Sequence, residues 1–189
     1  MTSRTTPVLL LLMVLASPAL GQLLGIGSCP SVTAMANIDT TSLLGTWYEY
    51  KRYSNSFELG SKCVTANFET AADNSTVDIT VSLTNFLTRK ETIAEGTALQ
   101  TSSDGSGVFT LNFPDINASG AVTILGSDYD NYAVAWSCKK ILGIFHYKYS
   151  WLLSREKSPS KEVINKMKAV LKSNNLSTLF YIKTLQSCN

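Results

Sequence analysis

From Gly45 onward, apolar and polar residues alternate in short runs separated by turn-forming residues, the period-two pattern of strands with one buried face. Val64, Ala66 and Phe68 alternate with Thr65, Asn67 and Glu69, and Val77, Ile79, Val81 and Leu83 alternate with Asp78, Thr80 and Ser82. Phe109, Leu111 and Phe113 repeat the pattern against Thr110 and Asn112. Asp73-Asn74, Asp104 to Gly107, Pro114 to Gly120 and Asp128 to Asn131 lie between such runs, rich in residues that tolerate turn geometry. The pattern predicts eight strands before residue 156. It then changes. Ser158 as N-cap, Pro159 at the first helical position, and Val163, Met167, Val170 and Leu171 on one stripe predict an amphipathic helix ending near Ser173 to Asn175. A last alternation from Thr178 to Leu185 predicts a ninth strand. Many antiparallel strands with one late helix predict an all-β domain, a closed barrel with the helix packed outside it.

The first residues belong to a different pattern. Arg4 precedes an apolar run from Val8 to Ala16, and Ser17 to Gly21 supplies small residues, so residues 1–21 read as a secretory signal peptide cleaved before Gln22. Residues 22–189 then form a single domain. A membrane anchor needs about 20 apolar residues, and this run meets Ser17-Pro18 too early. Composition removes other classes. Sixteen Lys and Arg against fourteen Asp and Glu leave a net charge of +2, so there is no basic field to neutralise a run of phosphates and no nucleic-acid partner is expected. Charged residues at 16% and hydrophobic residues at 44% describe a folded domain with an apolar interior.

The four cysteines, Cys29, Cys63, Cys138 and Cys188, lie far apart without C-x-x-C spacing, which disfavours a zinc site or redox dithiol and predicts two disulfides in any of three pairings. Three sequons, at Asn74, Asn117 and Asn175, fall among turn residues, where a glycan acceptor should sit.

Three motifs carry a family resemblance. Gly45-Thr46-Trp47 opens the first strand, Ser127 to Ala133 contains Asp128 and Tyr129 in a D-Y-x-x-Y-A pattern, and Arg155 follows Trp151 to Ser154. In this order they resemble the three motifs of the lipocalin family. The likeness extends over essentially the whole mature chain and is nearest to the group of apolipoprotein D, Lazarillo and the insect bilin-binding proteins, on Lys62 to Phe68, Asp128 to Cys138, and Phe145-His146. The resemblance implies an eight-stranded up-and-down barrel and disulfides Cys29–Cys138 and Cys63–Cys188. It assigns Gly45, Trp47, Asp128, Tyr129 and Arg155 to structure, and an arginine over an indole face fits a sealed barrel end.

An eight-stranded barrel is filled by side chains or holds one small ligand. With Trp47 and Arg155 taken as inward, the inner face carries Glu49, Lys51 and Tyr53 on the first strand, and Ala66 and Phe68 on the second. Val81 follows on the third, then Phe109, Leu111 and Phe113, then Ala135, and finally Tyr149, Trp151 and Leu153. The expected ligand contacts are Tyr53, Ala66, Phe68, Val81, Phe109, Leu111, Phe113, Ala135, Tyr149, Trp151 and Leu153. Small residues leave space and aromatics supply flat walls, the make-up of a pocket for an elongated or planar lipophile such as a retinoid, fatty acid or steroid. Phe68 and Trp151 match family ligand positions, with phenylalanine here where apolipoprotein D has tyrosine. Trp136 is expected outward.

The expected function is therefore a secreted, extracellular carrier or scavenger of a small lipophilic ligand. It needs no cofactor, with biliverdin implied as the alternative ligand and Lys51 or Lys148 as partners for its propionates. Two other classes compete with it. An enzyme of the prostaglandin-isomerase type needs a free cysteine, and the chain has no G-x-S-x-G, no H-E-x-x-H and one histidine, so neither catalysis nor a metal site is expected. His146 reads as a rim residue. Leu23, Leu24, Ile26, Ile141, Leu142 and Ile144 suggest a patch at the mouth that contacts membrane or lipoprotein surfaces.

Overall fold

The computed structural model describes residues 24–188. The expected leader and its cleavage site lie outside the described residues. Among those described, ten strands form one antiparallel sheet: β1 (Leu24–Ile26), β2 (Gly45–Tyr53), β3 (Ser61–Thr70), β4 (Val77–Asn85), β5 (Glu91–Gln100), β6 (Val108–Phe113), β7 (Ala118–Ser127), β8 (Tyr132–Ile141), β9 (Phe145–Ser154) and β10 (Tyr181–Lys183). The alternating runs of the sequence become the strands because each can bury one face. Neighbours pair in sequence order from β2 to β9, and β2 also pairs with β9 through Tyr48↔Ser154 and Glu49↔Leu153, which closes an eight-stranded barrel without a free edge. Where the closing strands splay apart, the two chain ends fill in. β1 pairs with β9 at Gly25↔His146, and β10 pairs with β2 at Ile182↔Arg52. The ninth strand expected over Thr178 to Leu185 is thus confined to Tyr181–Lys183.

The up-and-down order places the β2–β3, β4–β5, β6–β7 and β8–β9 loops at one end, the mouth. The other loops and a 3-10 turn at Thr41–Leu43 form the floor. Outside the wall, α1 (Lys161–Ser173) buries Met167 and Leu171 against Leu125, Val134, Trp136 and Leu152. Gly126 lets it approach, since a Cβ there would come 2.9 Å from Val170 Cγ2. The helix starts two residues later than expected. Ser160, not Ser158, is the N-cap, its Oγ accepting from the Val163 amide at 3.3 Å, and Pro159 lies before the cap.

Disulfides join Cys29 to Cys138 and Cys63 to Cys188, the pairing that the resemblance implies. Each closes a loop of more than a hundred residues, a constraint on the unfolded chain that contributes about 2–4 kcal/mol.

One expectation of register fails. Between Glu49 and Lys51 the pairing of β2 with β9 shifts by one residue, a bulge at Tyr50. Beyond it the parity reverses, so Arg52 faces inward opposite Trp151, while Lys51 lies opposite the outward Leu152. Tyr53, expected among the ligand contacts, is packed in the outer cluster with Trp136 and Tyr181 and touches no interior space.

Candidate functional site

The floor is built first by sequence-local geometry. Gly45 has φ +88°, a conformation that glycine adopts without steric penalty, and it turns the chain from the 3-10 segment into β2. This drops Trp47 into the barrel end. Its side chain is fully buried among Leu43, Ala133 and Leu153, and its indole N–H donates to the Leu43 carbonyl at 2.8 Å. The Arg155 guanidinium lies 3.7 Å from the indole centroid and donates to the carbonyls of Ser42, Leu44, Thr46 and Tyr129. Asp128 accepts from the amides of Asn131 and Tyr132, and the Tyr129 hydroxyl accepts from the Asp39 amide. Five residues expected to be structural thus tie three floor segments together, with backbone carbonyls of one segment bound by a side chain of another.

Above the floor, Ile79, Ala98, Phe109, Val122, Ile124 and Ala135 are buried against one another. The rest of the inner wall is half-buried: Ala66 and Phe68 at the floor end, beside their partners Trp47 and Gly45, then Val81, Leu111, Phe113, Tyr149 and Trp151. This is an apolar cup, closed below and reached from the mouth. Tyr149 stacks on Trp151 with centroids 6.0 Å apart and planes 8° from parallel, and Phe57 from the β2–β3 loop stacks on Tyr149 at 5.7 Å. Of the expected contacts, the structure gathers Ala66, Phe68, Val81, Leu111, Phe113, Tyr149 and Trp151 around the cup. Phe109 and Ala135 form its base, and Leu153 lies deeper, against Trp47.

Sequence reading places Glu49 inward but misses Arg52 and Glu58, which complete a polar station beside Trp151. Arg52 is buried on the inner wall, and each of its side-chain nitrogens faces an oxygen. Nη1 donates to Glu49 Oε1 at 2.6 Å and to Thr184 Oγ1 at 2.9 Å, and Nη2 donates to the Glu58 carbonyl at 2.6 Å. Nε lies 2.8 Å from Glu58 Oε2 with its N–H off the line, an ionic contact without a well-formed hydrogen bond. Glu58 reaches in from the β2–β3 loop. Its Oε2 accepts from Asn55 Nδ2 at 3.1 Å, and its Oε1 accepts from the Trp151 indole at 3.2 Å. Thr184 also bonds Glu49. Burial, and then the Glu58 carboxylate, push the Glu49 carboxyl up to about 8, so at neutral pH this group is held largely protonated. Only the bulge at Tyr50, which carries no residue signature, brings Arg52 inside.

The cations expected at the ligand are elsewhere. Lys51 and Lys148 both stand on the outer face, opposite Leu152 and Cys138 respectively. His146 is not a rim residue but is buried beneath β1, with Nδ1 3.1 Å from the Gly27 carbonyl. A Cβ at Gly25 would overlap its ring. At the floor end a cavity of about 270 Å³ is lined mainly by hydroxyl and amide side chains, including Thr40, Thr70, Ser75, Thr76 and Gln100, and reaches Ala98 and Phe109 of the interior cluster. Asn74, Asn117 and Asn175 are exposed. No group of three or more potential metal ligands occurs among the described residues.

Comparison with known proteins agrees with this geometry. The family model for lipocalin / cytosolic fatty-acid binding proteins matches residues 44–187. Apolipoprotein D of Bos taurus is 33% identical over 180 residues, covering 90% of each chain. The bilin-binding protein of Pieris brassicae is 29% identical over 136 residues, 69% of each. Among solved structures, lobster apocrustacyanin A1 superposes with a TM-score of 0.77 at 22% identity, over 89% of this chain and 93% of that one.

Proposed function

Because the chain belongs to the lipocalin / cytosolic fatty-acid binding protein family, we propose that it is a secreted carrier or scavenger that holds a small lipophilic ligand in the cup and performs no chemistry on it. The observation that carries this reading is the half-buried apolar and aromatic inner wall above the Trp47 plug, from Ala66 and Phe68 at its base to Phe113 and Tyr149 higher up. Such a surface gains by covering itself with an apolar molecule, at about 25 cal/mol per Å² removed from water. Secretion is supported by the leader-like residues 1–21 and by two disulfides, which persist in oxidising compartments. All four cysteines are bonded, which leaves no thiolate to act as a nucleophile.

Titrating purified protein with retinol and following tryptophan fluorescence tests the reading. Trp151→Ala is expected to weaken binding about tenfold, the equivalent of about 1.4 kcal/mol, while Trp136→Ala lowers stability and keeps affinity. Undiminished affinity in Trp151→Ala would remove the cup as the site. The flat stack of Phe57, Tyr149 and Trp151 also favours a planar pigment, and the bilin-binding relative makes biliverdin the second ligand to add. Visible absorption bands in protein from its native source would select that ligand.

The mouth carries a second part of the reading. Phe57, Leu59, Phe86, Leu87, Ile116, Leu142 and Ile144 are exposed on all four mouth loops, with Ile26 of β1 beside them. We place peripheral docking on a lipid surface there, more broadly than Ile26, Leu142 and Ile144 alone suggest. Co-sedimentation with phosphatidylcholine vesicles should fall several-fold in Leu87→Asp/Leu142→Asp, since an aspartate costs about 2.5–3.5 kcal/mol in an apolar lipid environment. Equal sedimentation of both proteins would dismiss docking.

A further inference from the structure

The inner wall carries charge, and its arrangement bears on which lipophile the cup accepts. The cations of the described residues can be placed one by one. Lys51, Lys148, Lys140 and Lys183 share the outer face of the wall by register. Lys62 reaches outward to the Ser187 carbonyl, and Arg155 is committed beneath Trp47. Arg89, Lys90 and Lys139 are exposed at the lip, Lys139 on the inward phase of β8, and Lys157, Lys161, Lys166, Lys168 and Lys172 are exposed outside the barrel, at and before the helix. Among the described residues this leaves Arg52 as the cation inside the cup, directly opposite Trp151.

Arg52 has no uncompensated charge to offer a ligand. Its guanidinium is met by two carboxylates, a hydroxyl and a backbone carbonyl. Glu58 is equally committed, one oxygen taking the Trp151 indole N–H and the other taking Asn55 and Arg52. With two acids for one base, the station has no positive excess. A lipid carboxylate brought to it would lose its hydration, find no uncompensated positive charge and face Glu58 across a short distance in a medium of low dielectric. A hydroxyl or carbonyl brings no such charge and needs a single hydrogen-bond partner, which the Tyr149 hydroxyl or the polar lip provides.

We propose that the cup selects uncharged lipids, whose polar end is a hydroxyl or carbonyl group, and discriminates against lipid carboxylates because the Arg52 charge is neutralised in place by Glu58, with Glu49 bonded beside it. This rests on the carrier reading and narrows it. Of the ligand classes that fit the aromatic walls, it favours alcohols and ketones over fatty acids and other anionic lipids.

The test compares two ligands of one skeleton, all-trans retinol and all-trans retinoate, by tryptophan quenching at pH 7.5 on the intact secreted chain. N-phenyl-1-naphthylamine serves as a neutral probe of the cup. Retinol is expected to bind about tenfold more tightly than retinoate. In Glu58→Gln, which frees part of the Arg52 guanidinium, the ratio is expected to narrow by about threefold or more through a gain in retinoate affinity. Equal affinities in the wild-type chain, or a preference for retinoate, would overturn the proposal, and this comparison decides it even if the variant fails to fold. A folded Glu58→Gln with an unchanged ratio would also overturn it. Failure of the naphthylamine and both retinoids to bind would sink the carrier reading itself, and this inference with it.

Discussion

Trp47→Ala is expected to lower the free energy of unfolding by about 3–5 kcal/mol, measured by urea denaturation followed by circular dichroism. The indole is fully buried at the point where the 3-10 turn, β2, β8 and β9 converge. Its removal opens a cavity that Leu43, Ala133 and Leu153 cannot fill without moving the floor. It also strips the Arg155 guanidinium of the face on which it lies, although the four carbonyl contacts of Arg155 would hold that side chain in place. That rigidity prevents collapse into the hole, which is why a cost at the high end of the range is expected. A loss of less than about 1 kcal/mol would mean that the floor repacks and that Trp47 is not its keystone.

Arg52→Met should be comparably damaging, for a different reason. Removing one member of a buried ionic group costs about 3–5 kcal/mol because the remaining charge is left unpaired. Here Glu58 is left unpaired beside Glu49, whose carboxyl ionises only as the pH rises. The penalty should therefore grow with pH, and adding Glu49→Gln and Glu58→Gln should restore much of the loss. The wild-type chain carries a milder form of the same dependence. The Glu49 carboxyl is raised from 4.5 to about 8 by burial and then by Glu58, so between those values the folded state holds a proton that the unfolded state has released. The contribution of Glu49 to stability therefore falls as pH rises through this window, and Glu49→Gln should flatten that part of the profile. A stability curve that rises from pH 5 to pH 8 because of Glu49, or an Arg52→Met variant as stable as wild type, would show that the station is solvated and not buried.

The parts of this molecule legible in the sequence are those where one residue's environment follows from its neighbours two positions away. Val77, Ile79 and Val81 announce a strand with an inner face, and Val163, Met167 and Leu171 announce the helix that covers the wall. The floor was readable too, from Gly45, Trp47 and Arg155, because a glycine beside a large aromatic leaves few other arrangements. What failed was parity across an irregularity. Glu49-Tyr50-Lys51-Arg52-Tyr53 contains no glycine or proline to mark the bulge, so counting by twos from Trp47 sent Lys51 and Tyr53 inward and kept Arg52 out. Glu58 was hidden for another reason: it lies in a loop, where alternation says nothing, and its partner is an arginine that parity had assigned to the outside. His146 was misplaced because β1, which buries it, is only three residues long and pairs with a distant segment.

The two short outer strands have a practical consequence for anyone handling the protein. β1 lies along the mouth-proximal part of β9, and β10 leads into a C-terminal segment whose Leu185 carbonyl takes the Cys63 amide near the start of β3, also toward the mouth. Anything joined behind Cys188 is thus delivered to the rim of the cup, so a purification tag, a fluorescent fusion or a surface tether there would crowd the entrance. An attachment point at the opposite pole, on the β5–β6 turn around Gly105, leaves the approach to the ligand open.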